Sequence, residues 1–299
     1  DLALEAAEKA PDMPRLTEQD GEKTQLMEGE ATITRIHIHS GAGSEALGRA
    51  PGRYITVEVP PLSDNDDKLV EYARLIGREL AALLPERGTV LVTGLGNESI
   101  TPDALGPRAA RWVLATRHVA GREQLFRKFR PVAVLAPGVL GQTGVESGEI
   151  VGGLCEVVHP AAVIAIDALA SRSVARLGCT VQLCDTGIAP GSGVGNNRKE
   201  LTEQLLGIPV IGLGVPTVVD ARTLAAELTG REDAAEQVAP RGAQMMVTPQ
   251  RANLGSASQP MDTCRPVIAL STLFSRPPSV ISTTRKIRYT ETPVMMLGR

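Results

Sequence analysis

Two aspartates stand where a pair of carboxyl groups can do acid–base chemistry. Asp167 follows four apolar residues in VIAIDALASRS (163–173), and Asp103 follows Thr101 and Pro102 in TPDALGP. Thr-Pro is typical of a helix start, where the helix dipole favours an ionised carboxylate, whereas a carboxyl group at the end of an apolar strand is desolvated and keeps its proton more readily. Such a pair can hydrolyse an amide, because the ionised group activates water while the protonated group donates to the leaving amine. The competing interpretation is purely structural: a helix cap and a loop-orienting strand end.

Other polar residues lie on the loops that follow the predicted strands. Ligands of an open parallel sheet bind beyond the carboxyl ends of its strands. We therefore expect Asn97, Asp185 and Ser192 to face the same rim as the two aspartates, as secondary site candidates. Ser192 lacks the GxSxG frame of a nucleophile elbow, and GLGN (94–97) lacks a complete phosphate-loop motif. Neither a serine hydrolase nor a nucleotide-binding protein is favoured.

Histidines and cysteines give weaker signals. His37 and His39 alternate with isoleucines, which places both imidazoles on one face of a strand. Two histidines can start a metal site, but we favour a solvated strand face. The cysteines show no CxxC pairing and are predicted to be reduced, mostly core thiols: Cys155, Cys179, Cys184 and Cys264.

Short apolar, β-branched runs alternate with helical stretches through the middle of the chain. Aromatic residues make up only 2% of the sequence, so the core must consist of Val, Ile, Leu and Ala, which is typical of a parallel α/β sheet. The alternation predicts a mostly parallel sheet with helices on both faces. Strands are predicted at 89–94, 131–138, 161–168, 180–187 and 209–216, and helices at 66–88, 107–119, 146–158 and 217–230.

The two ends of the chain have different patterns. TITRIHIHS (32–40) and RYITVEVP (53–60) alternate as antiparallel strands do, which predicts a small β module within residues 1–62. The catalytic α/β domain is then expected at 63–250. Residues 251–299 are rich in Ser, Thr and Pro and show no helical face, so we expect an atypical tail that is loosely ordered or disordered.

Charge and hydropathy exclude several classes of protein. A net charge of -3 and a pI near 5.9 give no electrostatic footprint for direct binding of nucleic acid or an anionic membrane. The longest apolar stretches are too short to span a bilayer, and the acidic start DLALEAAEKA is unlike a secretory signal. A cytoplasmic protein is expected.

Six linked motifs resemble one family. In order they are VTGLGNESITPDALGP, APGVLGQTGVESGEIV, AIDALASRS, DTGIAPGSGVGNNRKEL, GIPVIGLGVPTVVDA and MMVTP, and together they are similar to the germination protease of spore-forming bacteria. The resemblance runs from about residue 1 to about residue 250. It implies an atypical aspartic endopeptidase of the spore core that begins the degradation of small acid-soluble spore proteins, cutting at acidic-apolar-Ala-x-Glu sites.

The resemblance also implies a fold, an assembly and a processing event. The fold would be a three-layer α/β/α sandwich like that of the hydrogenase maturation peptidases, and the assembly a homotetramer. The two essential aspartates of the family match Asp103 and Asp167. Members are made as zymogens that remove a short N-terminal segment, and the start Asp1-Leu2-Ala3-Leu4-Glu5 resembles a cleavage site, so the processing bond is predicted between Asp1 and Leu2.

Two segments depart from the family pattern. The stretch between ELTGRED (227–233) and MMVTP is shorter than is usual, and the tail after Pro249 lacks the expected terminal helix. No histidine occupies a rim loop that would match the third metal ligand of the maturation peptidases, so we expect no metal and no cofactor at the aspartate pair. The alternatives are a metal-dependent maturation-type peptidase and an inactive relative that only binds.

Overall fold

One mixed sheet organises the molecule. The computed structural model describes residues 3–9, 20–39, 41–60, 68–120, 129–191, 199–238 and 245–248. Within these ranges the strands are β1 Gly21–Glu28, β2 Ala31–Ile38, β3 Gly52–Glu58, β4 Val90–Gly94, β5 Val132–Leu135, β6 Ala162–Ser171, β7 Thr180–Cys184, β8 Val210–Asp220 and β9 Met246–Val247. The helices are α1 Ala3–Lys9, α2 Gly41–Leu47, α3 Leu69–Ala81, α4 Leu105–Trp112, α5 Leu140–Thr143, α6 Ser147–Val158, α7 Glu203–Leu206 and α8 Ala221–Thr229.

The sheet has a parallel half and an antiparallel half. Its strand order is β1-β2-β3-β7-β8-β6-β4-β5, and β9 pairs with β8. Strands β8, β6, β4 and β5 run parallel, while β1, β2, β3 and β7 are joined to one another and to β8 by antiparallel pairs. The N-terminal strands therefore extend the main sheet through the β3–β7 pair.

Alternation along the strands separates two apolar faces. In β6, Ile164 and Ile166 join the large core under α3 and α4, whereas Val163 and Ala165 join a second core under α6. A third cluster packs α1 and α2 onto the same face as α6, at the antiparallel end of the sheet. Helices thus cover both faces, and the predicted α/β/α layering is confirmed.

The structure also differs from the sequence predictions at several elements. β1 was not predicted because its side chains are exposed, so it lacks an apolar periodicity. The predicted helix 217–230 is wrong in its first turn: β8 continues to Asp220, and α8 begins only at Ala221. The division at residue 62 stays a prediction, and the expected tail 251–299 lies outside the described residues.

Within the part of the chain that the structure describes, no helix combines the length and apolar character needed to cross a bilayer.

Candidate active site

The chain reverses its direction of winding at β4. Helix α4, which follows β4, lies on one face of the sheet, and α6, which precedes β6, lies on the other. Strands β5 and β6 consequently flank β4 on opposite sides. A crevice opens at the carboxyl ends of neighbouring parallel strands wherever the winding reverses in this way, and ligands of α/β proteins bind there. The β4 and β6 carboxyl ends define that position here.

The loop after β4 carries Asp103 into this crevice. Asp103 ends a short 3-10 helix, Thr101–Asp103, and its Oδ2 accepts a hydrogen bond from the backbone N of Asn97 at 2.7 Å. Gly96 has a φ of 114°, and a Cβ there would overlap the Asp103 carbonyl oxygen, so only glycine fits. The half-buried carboxylate of Asp103 therefore joins the two ends of the loop from Asn97 to Asp103.

Strand β8 holds the same 3-10 helix through a side-chain hydrogen bond. The buried Thr217 donates its hydroxyl to the carbonyl oxygen of Pro102 at 2.8 Å. Thr217 lies at a bulge in β8, where the pairing with β6 shifts register after Leu169. The bulge redirects this hydroxyl toward the loop.

Gly106 lets α4 lie directly on the strands. A Cβ at Gly106 would come within 2.5 Å of the Ile166 carbonyl oxygen and would also overlap the Leu95 carbonyl oxygen. The Leu95 backbone N donates to that Ile166 oxygen at 2.8 Å. Gly106, in the first turn of α4 and three residues after Asp103, thus lies against Ile166, the residue that precedes Asp167.

Asp167 is buried in the middle of β6. Its exposed fraction is 4%, its Oδ1 accepts the backbone N–H of Ala168 at 2.9 Å, and its register partner on β8 is Gly214. The strand predicted at 161–168 is longer in the structure, because β6 continues alongside the long strand β8 as far as Ser171, so Asp167 is not at a strand end. By alternation the Asp167 side chain lies on the face of Val163 and Ala165.

Asn97 lies in the Asp103 loop and links it to α5. Its Oδ1 accepts hydrogen bonds from the Ser99 backbone N at 3.0 Å and from Gln142 Nε2 at 2.9 Å. The structure thus groups Asn97 with Asp103, and the 3-10 helix of Asp103 contacts both β6 and β8.

Asp185 lies elsewhere. It follows β7, which is antiparallel to β8, and Cys184 pairs with Gly212 near the amino end of β8. The expectation that Asp185 shares the rim of the two aspartates is wrong, because the carboxyl end of an antiparallel strand meets the amino ends of its neighbours. Asp185 instead binds the Arg53 backbone N and Nε, both at 2.7 Å. Ser192, Asp1 and Leu2 lie outside the described residues.

The germination protease family model matches residues 3–230. The chain belongs to the germination protease family. The matched range includes Asn97, Asp103 and Asp167, as well as the strands and loops that position them.

Curated germination proteases are similar over most of this chain. The protein from Clostridium perfringens is 45% identical over 209 residues, which is 68% of this chain. Those from Bacillus cereus and Bacillus mycoides are each 44% identical over 239 residues, which is 76% of this chain. The chain spans 64% of the length of each of these relatives.

Among solved structures, the NiFe hydrogenase maturation protease HycI from Thermococcus kodakarensis shows a distant likeness. It is 17% identical, with a TM-score of 0.32, over 46% of this chain and 80% of that protein.

The sequence did not predict the residues that support the loop carrying Asn97 and Asp103. Thr217 fell inside a predicted helix, and Gln142 lies in a loop motif without a distinctive type of side chain. The run of β-branched residues at 217–219 was the available signal that β8 continues. Among the described residues, three possible metal ligands cluster at one place, Glu22, His37 and His39, and three strands lie between β2 and β6.

Proposed function

We propose that this chain is an endopeptidase of spore germination that hydrolyses peptide bonds with Asp103 and Asp167. The observation that carries the proposal is the meeting of their elements at the switch point of the sheet: the 3-10 helix that ends at Asp103 contacts β6, in which Asp167 is buried. Membership of the germination protease family supports the same activity.

The surroundings of the two carboxyl groups suggest different roles. Asp103 is half-buried and its Oδ2 already accepts an N–H, which suits a carboxylate that takes a proton from water. Asp167 also accepts one backbone N–H, but it is only 4% exposed, and burial disfavours a charge, which suits the group that supplies a proton. Water would add to the scissile carbonyl carbon as Asp103 takes its proton, and collapse of the tetrahedral intermediate would break the C–N bond as Asp167 donates to the leaving amine. Asp167 then ends as the carboxylate and Asp103 as the acid, so one proton exchange resets the pair.

The proposed substrates are the small acid-soluble spore proteins, cut in the spore core at acidic-apolar-Ala-x-Glu sites. We further propose that the chain forms a homotetramer and that self-processing of a zymogen cuts between Asp1 and Leu2. Mass spectrometry of a self-processed precursor tests the last point, and a new N-terminus at any other residue contradicts it.

Cleavage of a purified small acid-soluble spore protein tests the catalytic proposal. We expect the wild-type chain to cut with chelator present, while Asp103→Asn and Asp167→Asn lose at least about 1,000-fold in kcat/KM and stay folded by circular dichroism. Asp185→Asn is the matched control: it removes a carboxylate that follows a strand at the other end of the sheet, and it should still cut.

The other outcomes identify the competing functions. Loss of wild-type cleavage on chelation would favour a metal-dependent maturation-type peptidase. A folded wild-type chain that binds the spore protein without cutting it would indicate an inactive relative.

A further inference from the structure

Three potential metal ligands meet across the β1–β2 pair. His37 lies near the end of β2 and His39 directly follows its last residue, Ile38; the two rings lie side by side, with centroids 3.9 Å apart. Glu22 on β1 is the direct register partner of His37, with its Oε1 3.8 Å from His37 Nδ1. One ligand atom from each of the three residues lies within 4.8 Å of the others.

We infer that Glu22, His37 and His39 form a binding site for a divalent transition metal ion of the zinc class. Two imidazoles and one carboxylate match the nitrogen and oxygen ligands that Zn²⁺ prefers, and this set leaves a fourth position open to water or another ligand. The sequence prediction of a solvated strand face considered only the two histidines. The cross-strand register adds the anionic third ligand.

Closing the site requires side-chain movement only. Ligand atoms on one tetrahedral Zn²⁺ lie about 3.3 Å apart, given metal–nitrogen bonds of roughly 2.0 Å. The Glu22 side chain is 60% exposed and that of His37 is 38% exposed, so both can rotate to shorten the present spacing. The strands hold their Cα atoms in register throughout.

The positive charges that flank the site are already compensated. Arg53 on β3 is the register partner of His37 on the other side, and its Nε contacts Asp185 Oδ2 at 2.7 Å. Arg35 precedes His37 on the same face of β2, and Glu79 accepts two hydrogen bonds from it at 2.8 Å each. Because each guanidinium has its own carboxylate, neither repels a bound cation at full strength.

A bound ion would link the edge strand to the sheet. β1 is the outermost strand at its end of the sheet, and its side chains are exposed over nearly its whole length. Coordination by Glu22 on β1, by His37 on β2 and by His39 just after β2 would add a metal link to the backbone hydrogen bonds of this strand pair.

Isothermal titration of the full chain with ZnCl₂ tests the site. We expect binding that weakens at least about tenfold in His37→Ala and in His39→Ala, and measurably in Glu22→Gln. His118→Ala is the matched control because it removes an exposed histidine outside the cluster, and it should bind as the wild type does. Hydrogen exchange of the β1 amides should slow on adding Zn²⁺ to the wild type and not to His37→Ala.

The contrary results are equally specific. Failure of the wild-type chain to bind Zn²⁺, or wild-type affinity retained by both His37→Ala and His39→Ala, would overturn the proposal. These surface variants are checked by circular dichroism, and the Glu22→Gln titration tests the site without altering either histidine.

Discussion

At the scale of single residues, the candidate active site depends on hydrogen bonds that no local sequence pattern predicts. Asp103 is held by the backbone N–H of Asn97, and the preceding carbonyl oxygen, that of Pro102, is held by Thr217. The second contact joins two parts of the chain that are 115 residues apart. A catalytic role for Asp103 would depend on these contacts, because small displacements of reacting groups are costly.

Replacing Thr217 with Val removes the hydroxyl and keeps the shape of the side chain. We expect unfolding free energy to fall by about 1–2 kcal/mol, since the Pro102 carbonyl loses its donor, and kcat/KM on a spore protein to fall by roughly tenfold. Urea denaturation and peptidase assays measure the two effects. Thr217→Ser retains the hydroxyl and should keep most of the activity; equal activity of the Val and wild-type chains would contradict a positioning role.

At the scale of elements, close backbone contacts of α4 with β4 and β6 determine the position of the Asp103 loop. Helix α4 can begin beside β4 and β6 only because Gly106 and Gly94 lack side chains, and a Cβ at Gly94 would overlap the Gly106 carbonyl oxygen. The obstructing atoms are backbone atoms of Gly106 in the first turn of α4, of Leu95 directly after β4 and of Ile166 within β6. They cannot move without displacing the Asp103 loop.

Gly106→Ala is expected to destabilise the protein by at least about 3 kcal/mol, because the added methyl group overlaps fixed carbonyl oxygens. Gly153→Ala is the matched control. Gly153 is exposed within α6, and a methyl group added there would meet no other part of the chain within 4 Å, so alanine should stabilise the protein by about 0.5–1 kcal/mol. Urea denaturation of the two variants should give shifts of opposite sign; two shifts of the same sign would contradict the packing argument.

The N-cap of α8, Asp220, makes a pH-dependent contribution to the free energy of unfolding. Partial burial acts to raise the pKa of Asp220, but hydrogen bonds from the Thr223 hydroxyl and backbone N–H outweigh it and hold that pKa below its usual value of 3.8. The folded state therefore binds this proton less tightly than the unfolded state, so the contribution is present above pH 3.8 and is lost as the pH falls through the lowered value.

Asp220→Ala should cost about 1 kcal/mol near neutral pH, and the difference from wild type should shrink as the pH falls below 4. Urea denaturation at a series of pH values measures it. Asp220→Asn keeps the capping oxygen without its charge, so its smaller loss should vary less with pH. A wild-type advantage over Ala that grows on acidification would contradict the sign of the effect.

At the scale of the whole molecule, α1 is anchored to strands far away in the sequence. The Ala3 backbone N donates to Gln182 Oε1, and the buried Glu5 accepts from Ser171 Oγ at 2.7 Å. Burial alone would lower the pKa of Arg176, but its hydrogen bonds to Glu8 and Glu58 raise that pKa, so the guanidinium stays charged beside Glu5. Glu5, Glu8, Glu58 and Arg176 line part of a cavity of about 330 Å³.

Arg176→Met is expected to lower the unfolding free energy by about 3–5 kcal/mol, because it removes the guanidinium that lies 3.6 Å from the 3% exposed Glu5 carboxylate. Lys199→Met breaks an exposed pair with Glu149 and should cost less than about 1 kcal/mol. The double variant Arg176→Met with Glu5→Gln should recover part of the loss. No recovery would show that the Arg176 effect does not pass through Glu5.

Local patterns predict local structure here, and tertiary pairing decides the rest. The apolar runs at 89–94 and 161–168 predicted β4 and β6, and the local pattern selected Asp103 and Asp167 as candidates, which the resemblance then matched to the family's aspartates. The end of the sheet at which Asp185 lies could not be predicted from the sequence. The direction of β7 depends on its pairing with β3 and β8, which leaves no local signal. The Thr217 contact was missed for the same kind of reason, since a bulge in a strand pair orients it.

On a translating ribosome, α1 emerges long before its binding surface is complete. α1 packs on α2, β2 and β3, which are made soon after it, but the partner of Ala3 lies 179 residues later and the partners of Glu5 more than 160 residues later. Its hydrogen-bonded contacts therefore cannot form until β6 and β7 have been made. Contacts with such separation close large loops and form late in folding. Docking of α1 is therefore a closing step, and it reports that the strands carrying Asp167 and Gln182 are already in place.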